Sequence, residues 1–156
     1  MSLASPFSNL FTALQARIKS QVPEIAWVDH DLGQLEAFDG DRPPVEWPCL
    51  LIDFIETPFT QMQGYQDGDV SIQLRLAFNQ YQQTHSDVPE YVKEQALQYY
   101  EIEHKVHLAL QAWTASNTLV NALIRRSAAS EKREEDNFRV RRIVYQGSFS
   151  DSSVTG

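Results

Sequence analysis

Hydrophobic residues in this chain recur at two spacings. Near the start, Phe7, Leu10, Phe11, Leu14 and Ile18 fall at steps of three and four, the period that lines side chains along one side of a helix. Ser5 before Pro6 supplies an N-cap and a first-turn proline, and Pro23 stops the run after Val22. The spacing predicts an amphipathic helix laid on a sheet. Residues 25–30 then read as a short strand, ended or turned by Gly33.

The strongest apolar signal is 48–55, Pro-Cys-Leu-Leu-Ile-Asp-Phe-Ile, which is apolar on both alternation sets. That predicts a strand covered on both faces. Residues 70–78, Val-Ser-Ile-Gln-Leu-Arg-Leu-Ala-Phe, alternate with period two. They predict a second strand with one face to the core and the other, carrying Arg75, toward something polar. The arm between them, 57–68, is longer than a tight turn needs. It carries Phe59, Met62 and Tyr65 and closes on the turn dipeptide Asp67-Gly68. These three side chains either fold back or touch a neighbour.

Asp87 and Pro89 open a helix expected to run over 89–113, with Val92, Ala96, Tyr99, Val106, Leu110 and Trp113 in one stripe. At 1.5 Å per residue it would be roughly 35 Å long. Residues 119–149 read as a second hairpin. Leu123-Ile124 and Arg125-Arg126 start a strand, 128–137 is a charged connection, and 138–145 returns. The tail, 150–156, is expected to be disordered. Together these elements predict an α+β fold: a mixed, mainly antiparallel sheet of about five strands packed against an N-terminal helix and one long helix. Length and apolar content suit one domain, 1–149.

Composition narrows the setting. The chain has no basic region at its start and no apolar run near the roughly 18 residues of a membrane span. It is therefore expected to remain in the cytoplasm. Cys49, the single cysteine, has no internal disulfide partner and suits a reducing compartment. The net charge of −8 argues against duplex DNA or an anionic membrane as partner, because Lys and Arg supply most of such affinity.

The charge is also unevenly spread. Residues 24–69 hold eleven acids and one base, Arg42, whereas 125–142 hold seven bases and four acids. Such regions can meet within one molecule or between neighbours.

Candidate chemistry is sparse. Asp29-His30-Asp31 and Asp39-Gly40-Asp41 lack the ligand spacing of a calcium loop. Glu101, His104 and His107 recur at three-residue steps, but the second Glu-x-x-His of a bundle metal site and the His-Glu-x-x-His of a zinc protease are absent. The basic closing strand is interleaved with Glu131, Glu134, Glu135 and Asp136, which would repel a single-stranded nucleic acid. No phosphate loop or nucleophile elbow occurs. The reading is a non-enzyme without metal or cofactor. Two helices do not readily cover both faces of a five-stranded sheet, so a closing hairpin or a neighbouring subunit is expected over the second face of 48–55.

The order of these elements is an N-terminal helix, a short strand, a proline-rich acidic loop, the strand at 48–56, the alternating strand at 70–78 and a helix ending Val-His-Leu-Ala-Leu-Gln-Ala-Trp. A closing segment follows with Arg125-Arg126, the return strand at 138–145 and Phe149-Ser-Asp. This order resembles the tail terminator, or tail-completion, proteins of long-tailed bacteriophages and prophages, over roughly residues 7–151. The resemblance implies a non-enzymatic α+β subunit that forms a homohexameric ring on the end of the tail tube, stops its growth and joins it to the head.

Implied partners are its own copies, the tail-tube protein and a head–tail connector protein. The implied location is the virion tail, assembled in the bacterial cytoplasm. The alternatives are another virion component, such as a head-closure adaptor or baseplate piece, or a small cytoplasmic enzyme with an acidic pocket. The interface candidates are Arg75, Arg125, Arg126, Arg139, Arg141 and Arg142 on a basic side, Asp39, Asp41, Asp67 and Asp69 on an acidic side, and Tyr65 as an aromatic anchor. Reversing Arg139 and Arg141 is expected to weaken assembly more than folding.

Overall fold

The structure, a computed structural model, describes residues 4–38, 40, 42–79, 85–115, 118–133 and 138–154. Helix α1 spans Pro6–Gln21, and Ser5 caps it, its Oγ accepting the Phe7 N–H at 3.2 Å. Leu10, Leu14 and Ile18 form its buried face. Then follow β1 (Trp27–His30), β2 (Cys49–Glu56), β3 (Phe59–Gln61), β4 (Gln66–Phe78), α2 (Glu90–Ala96), α3 (Gln98–Leu110), β5 (Asn121–Glu131) and β6 (Arg139–Asp151). The sheet runs β1-β2-β4-β6-β5, with β3 beside β4. Among the described residues, only the β1–β2 pair is parallel. The fold is α+β, with a mixed and mostly antiparallel sheet.

Alternation decides which side chains meet the helices. Leu50 and Ile52 of β2, Ile72, Leu74 and Leu76 of β4, and Ile143, Tyr145 and Phe149 of β6 join Leu10, Leu14 and Ile18 of α1 and Val106 and Leu110 of α3 in the main core. Arg17 ties the two helices together, its Nε donating to the Ala109 carbonyl at 3.0 Å with the guanidinium over Trp113.

Several boundaries differ from expectation. The helix expected over 89–113 is two helices, interrupted at Leu97. The Leu97 N–H still reaches the Lys93 carbonyl, and Tyr100 N–H reaches that of Leu97, so the path bends there and continues. No proline or glycine marks the place. It ends at Leu110, after which Ala112 takes a positive φ and donates to the Leu123 carbonyl, laying 112–113 along the free edge of β5.

Asp67-Gly68 is not a turn: both residues lie within β4, and the reversal is at 62–65, where Gly64 has φ +87°. Gly68 is needed for contact, since a Cβ there would come 2.8 Å from the Phe149 ring. β5 continues to Glu131, through the first four residues of the expected charged connection, and β6 carries Ser150 and Asp151 of the expected tail, paired with Asp67 and Gln66. With the short β3 of the arm beside β4, the described sheet has six strands, in keeping with the expected mixed sheet of about five.

Candidate functional site

The second face of β2 is covered from within the chain. Cys49 and Leu51 of β2, Ala77 of β4 and Val140 of β6 point away from the helices and pack with Leu35, Val45 and Phe138 in a separate small core, flanked by Trp27, Phe38 and Trp47. The acidic connection between β1 and β2 thus roofs this end of the outer face. The expectation that a closing hairpin or neighbour covers it is corrected here, except that Phe138 and Val140 of the return strand contribute.

Arg75 clasps the roof. It is 7% exposed, and all five of its N–H groups are used. Nε and Nη2 donate to Glu131 at 2.9 and 2.8 Å, Nη1 and Nη2 to Glu36 at 2.8 and 2.7 Å, and Nη1 to Asp31 at 3.2 Å. Two bidentate forks saturate the planar donor array, the strongest geometry available to a guanidinium. Arg133 adds a second cation, bonding Glu36 at 3.0 Å and the Leu35 carbonyl while lying over the Phe138 ring. The Arg75 hydrogen bonds hold the Glu36 carboxyl below its ordinary range. Beneath the roof, burial pushes the Cys49 thiol up to about 12, so it stays a protonated, inert thiol.

The other candidate arginines divide into two groups. Arg139 and Arg141 point to the helix side: Arg139 donates to the Tyr99 hydroxyl at 2.8 Å and lies over its ring. Arg141 grips Glu103 with two bonds, at 2.5 and 3.1 Å, and reaches Ser130 Oγ. With Arg133, Phe138 and Val140 these side chains line a cleft of about 230 Å³. Arg125, Arg126 and Arg142 are exposed. Arg126 Nε donates to Gln146 at 2.9 Å, and Arg142 stands beside Arg75 in register on the outer face.

On the acidic side, Asp67 and Asp69 accept hydroxyl bonds from Ser150 and Ser148. Asp39 and Asp41 lie outside the described residues, as do Glu134, Glu135 and Asp136. Tyr65 is exposed near the arm tip beside Met62, and a hollow there is lined by Gln61, Gln66, Asp151 and Val154.

Sequence reading missed the partners of Arg75. Asp31, Glu36 and Glu131 are 39 to 56 positions away from it, and no spacing rule links them. The available hint was that its outward neighbours along the strand pair, Ala77 and Leu51, are apolar, which a polar solvent face would not favour. His107, one of the evenly spaced histidines, hydrogen-bonds Tyr145 at 3.0 Å, and burial lowers its pKa. Among the described residues, no group of three or more His, Cys, Asp or Glu is placed to hold a metal ion. None of the described helices is long and apolar enough to cross a membrane.

These features define an α+β protein whose sheet carries helices on one face and, on the other, a clasped roof beside an open, charge-bearing surface. A chain of the virion of a native gene transfer agent particle shares this fold, with a TM-score of 0.50 and 11% identity over 94% of this chain and 92% of that one. No family description and no curated protein matches the sequence.

Proposed function

We propose that the chain is a structural component of a phage-like virion and, within that class, the ring-forming terminator that caps the tail tube and joins it to the head. The observation that carries the reading is the likeness in fold to a virion chain along nearly the full length of both. The element order of tail terminators supports the narrower role, as does an outer sheet face that is open over half its length. On this reading the protein acts by contact rather than by catalysis. Its partners are further copies of itself, the tail-tube protein and a connector on the head side.

Negative-stain imaging of the purified chain, alone and with isolated tail tubes, tests this. Closed rings of one diameter, sitting on tube ends, are the expected result. Monomers that ignore tube ends would overturn the terminator role, and attachment to portal or baseplate would reassign the protein to another part of the virion.

A further inference from the structure

Beyond the Arg75 clasp, the outer face carries opposite charges on its two sides. Asp53 and Glu56 of β2 are exposed, in register with Gln73 and Ser71 of the same face, while Asp69 of β4 stands between the two sides, lining one hollow with Arg126. Arg126 of β5, bonded to Gln146, and Arg142 of β6 stand on the far side, whereas Arg125, in register with Tyr145, belongs to the helix side of the sheet. Each side has one exposed isoleucine, Ile55 at 47% on the acidic side and Ile124 at 44% on the basic side.

β2 and β5 are three strand steps apart, roughly 14 Å at about 4.8 Å per step. That exceeds the Debye length of about 8 Å at physiological ionic strength. The two sides therefore do little to neutralise each other inside one chain, while contact between chains would bring opposite charges together. A chain of net charge −8 approaches its own copy favourably only when unlike patches meet.

We infer that the occupant of this open half-face is a second copy of the chain, the acidic β2 side of one copy seated against the basic β5–β6 side of the next. The inference rests on the ring-forming reading above and names its contact. With the copies offset so that each acidic side meets only the basic side of the next, the contact is head-to-tail, the kind that forms rings when the rotation closes. Arg75, Arg139 and Arg141, engaged inside the chain, are not part of it.

Sedimentation velocity of the full chain over a concentration series, at low and high salt, tests the contact. Asp53→Lys with Glu56→Lys, and separately Arg126→Glu with Arg142→Glu, should each weaken self-association by at least about tenfold without moving the thermal melt. Mixing the two variants, or combining all four changes in one chain, should restore assembly. If the parent assembles and the reversals change nothing, the contact is wrong while the ring reading stands. If the parent is monomeric at every concentration, both fall. If the reversals abolish tail-tube binding but leave self-association intact, the face serves the tube and the copy-to-copy contact is overturned.

Discussion

The outer face of the sheet consists of two surfaces made from the same strands. At one end Cys49, Leu51, Ala77 and Val140 lie under the β1–β2 connection and are buried. At the other, Asp53, Ser71, Gln73, Val144 and Gln146 continue the same alternation as exposed or half-buried positions. Strand period alone does not distinguish them. What does is a roof supplied by distant sequence, and it reverses the meaning of a charged residue. Arg75 at the roofed end is a buried structural clasp, whereas Arg126 at the open end keeps its charge at the surface.

The sharpest way to break this distinction is to truncate each arginine. Arg75→Ala strands three carboxylates beside a small apolar core, and removing one partner of a buried ion pair costs roughly 3–5 kcal/mol. Arg126→Ala, on an exposed strand, should stay within about 0.5 kcal/mol. Urea denaturation of the two variants reads the difference, and comparable losses would mean that the Arg75 clasp contributes no more to stability than a surface arginine.

The same contrast holds for apolar residues at a smaller scale. Leu51→Ala opens a cavity under the roof and should cost about 2–5 kcal/mol. Ile55→Ala, four residues on in the same strand and 47% exposed, should fall within about 0.5 kcal/mol. Cys49 offers a local readout: with its thiol buried and pushed up to about 12, it should react slowly with a thiol probe at neutral pH and faster once Leu51 is truncated. An unchanged rate would show that the small core does not hold the roof closed.

The sequence was most informative where one element accounts for its own pattern. The face of α1, the alternation of β4 and the double apolar character of 48–55 follow from local periodicity, and all three elements are present. The bend at Leu97 was hidden because its cause is not a helix breaker. Gly68 looked like a turn residue because Asp-Gly usually is one; only the Phe149 ring, 81 residues later in the chain, explains the glycine. The uncovered second face was inferred by counting helices, and that count omits an irregular connection able to bury Leu35 and Val45. The candidate arginines looked alike in sequence since each lies in a strand-like stretch with apolar residues close by. Three turn inward or under the roof because carboxylates or a tyrosine hydroxyl from other elements await them, and no spacing rule reports that.

The smallest expected effect concerns pH and separates clasp from surface in another way. The Arg75 hydrogen bonds, with a lesser contribution from Arg133, lower the folded-state pKa of Glu36 from its ordinary 4.5. A carboxyl depressed in the folded state stabilises the fold above its unfolded value, and that stabilisation is lost as pH falls through the folded value. The Glu36 contribution should therefore be constant from neutral pH down to about 4.5 and decline in stronger acid. Its side chain is 48% exposed, so solvent screening keeps the contribution small. Glu36→Gln should flatten the acid limb of stability against pH. In an Arg75→Ala background the same change should have much less effect, because the partner that lowers the pKa is gone, and a double-mutant cycle across pH isolates that coupling. Equal flattening in both backgrounds would mean that Glu36 owes its acid sensitivity to something other than the clasp.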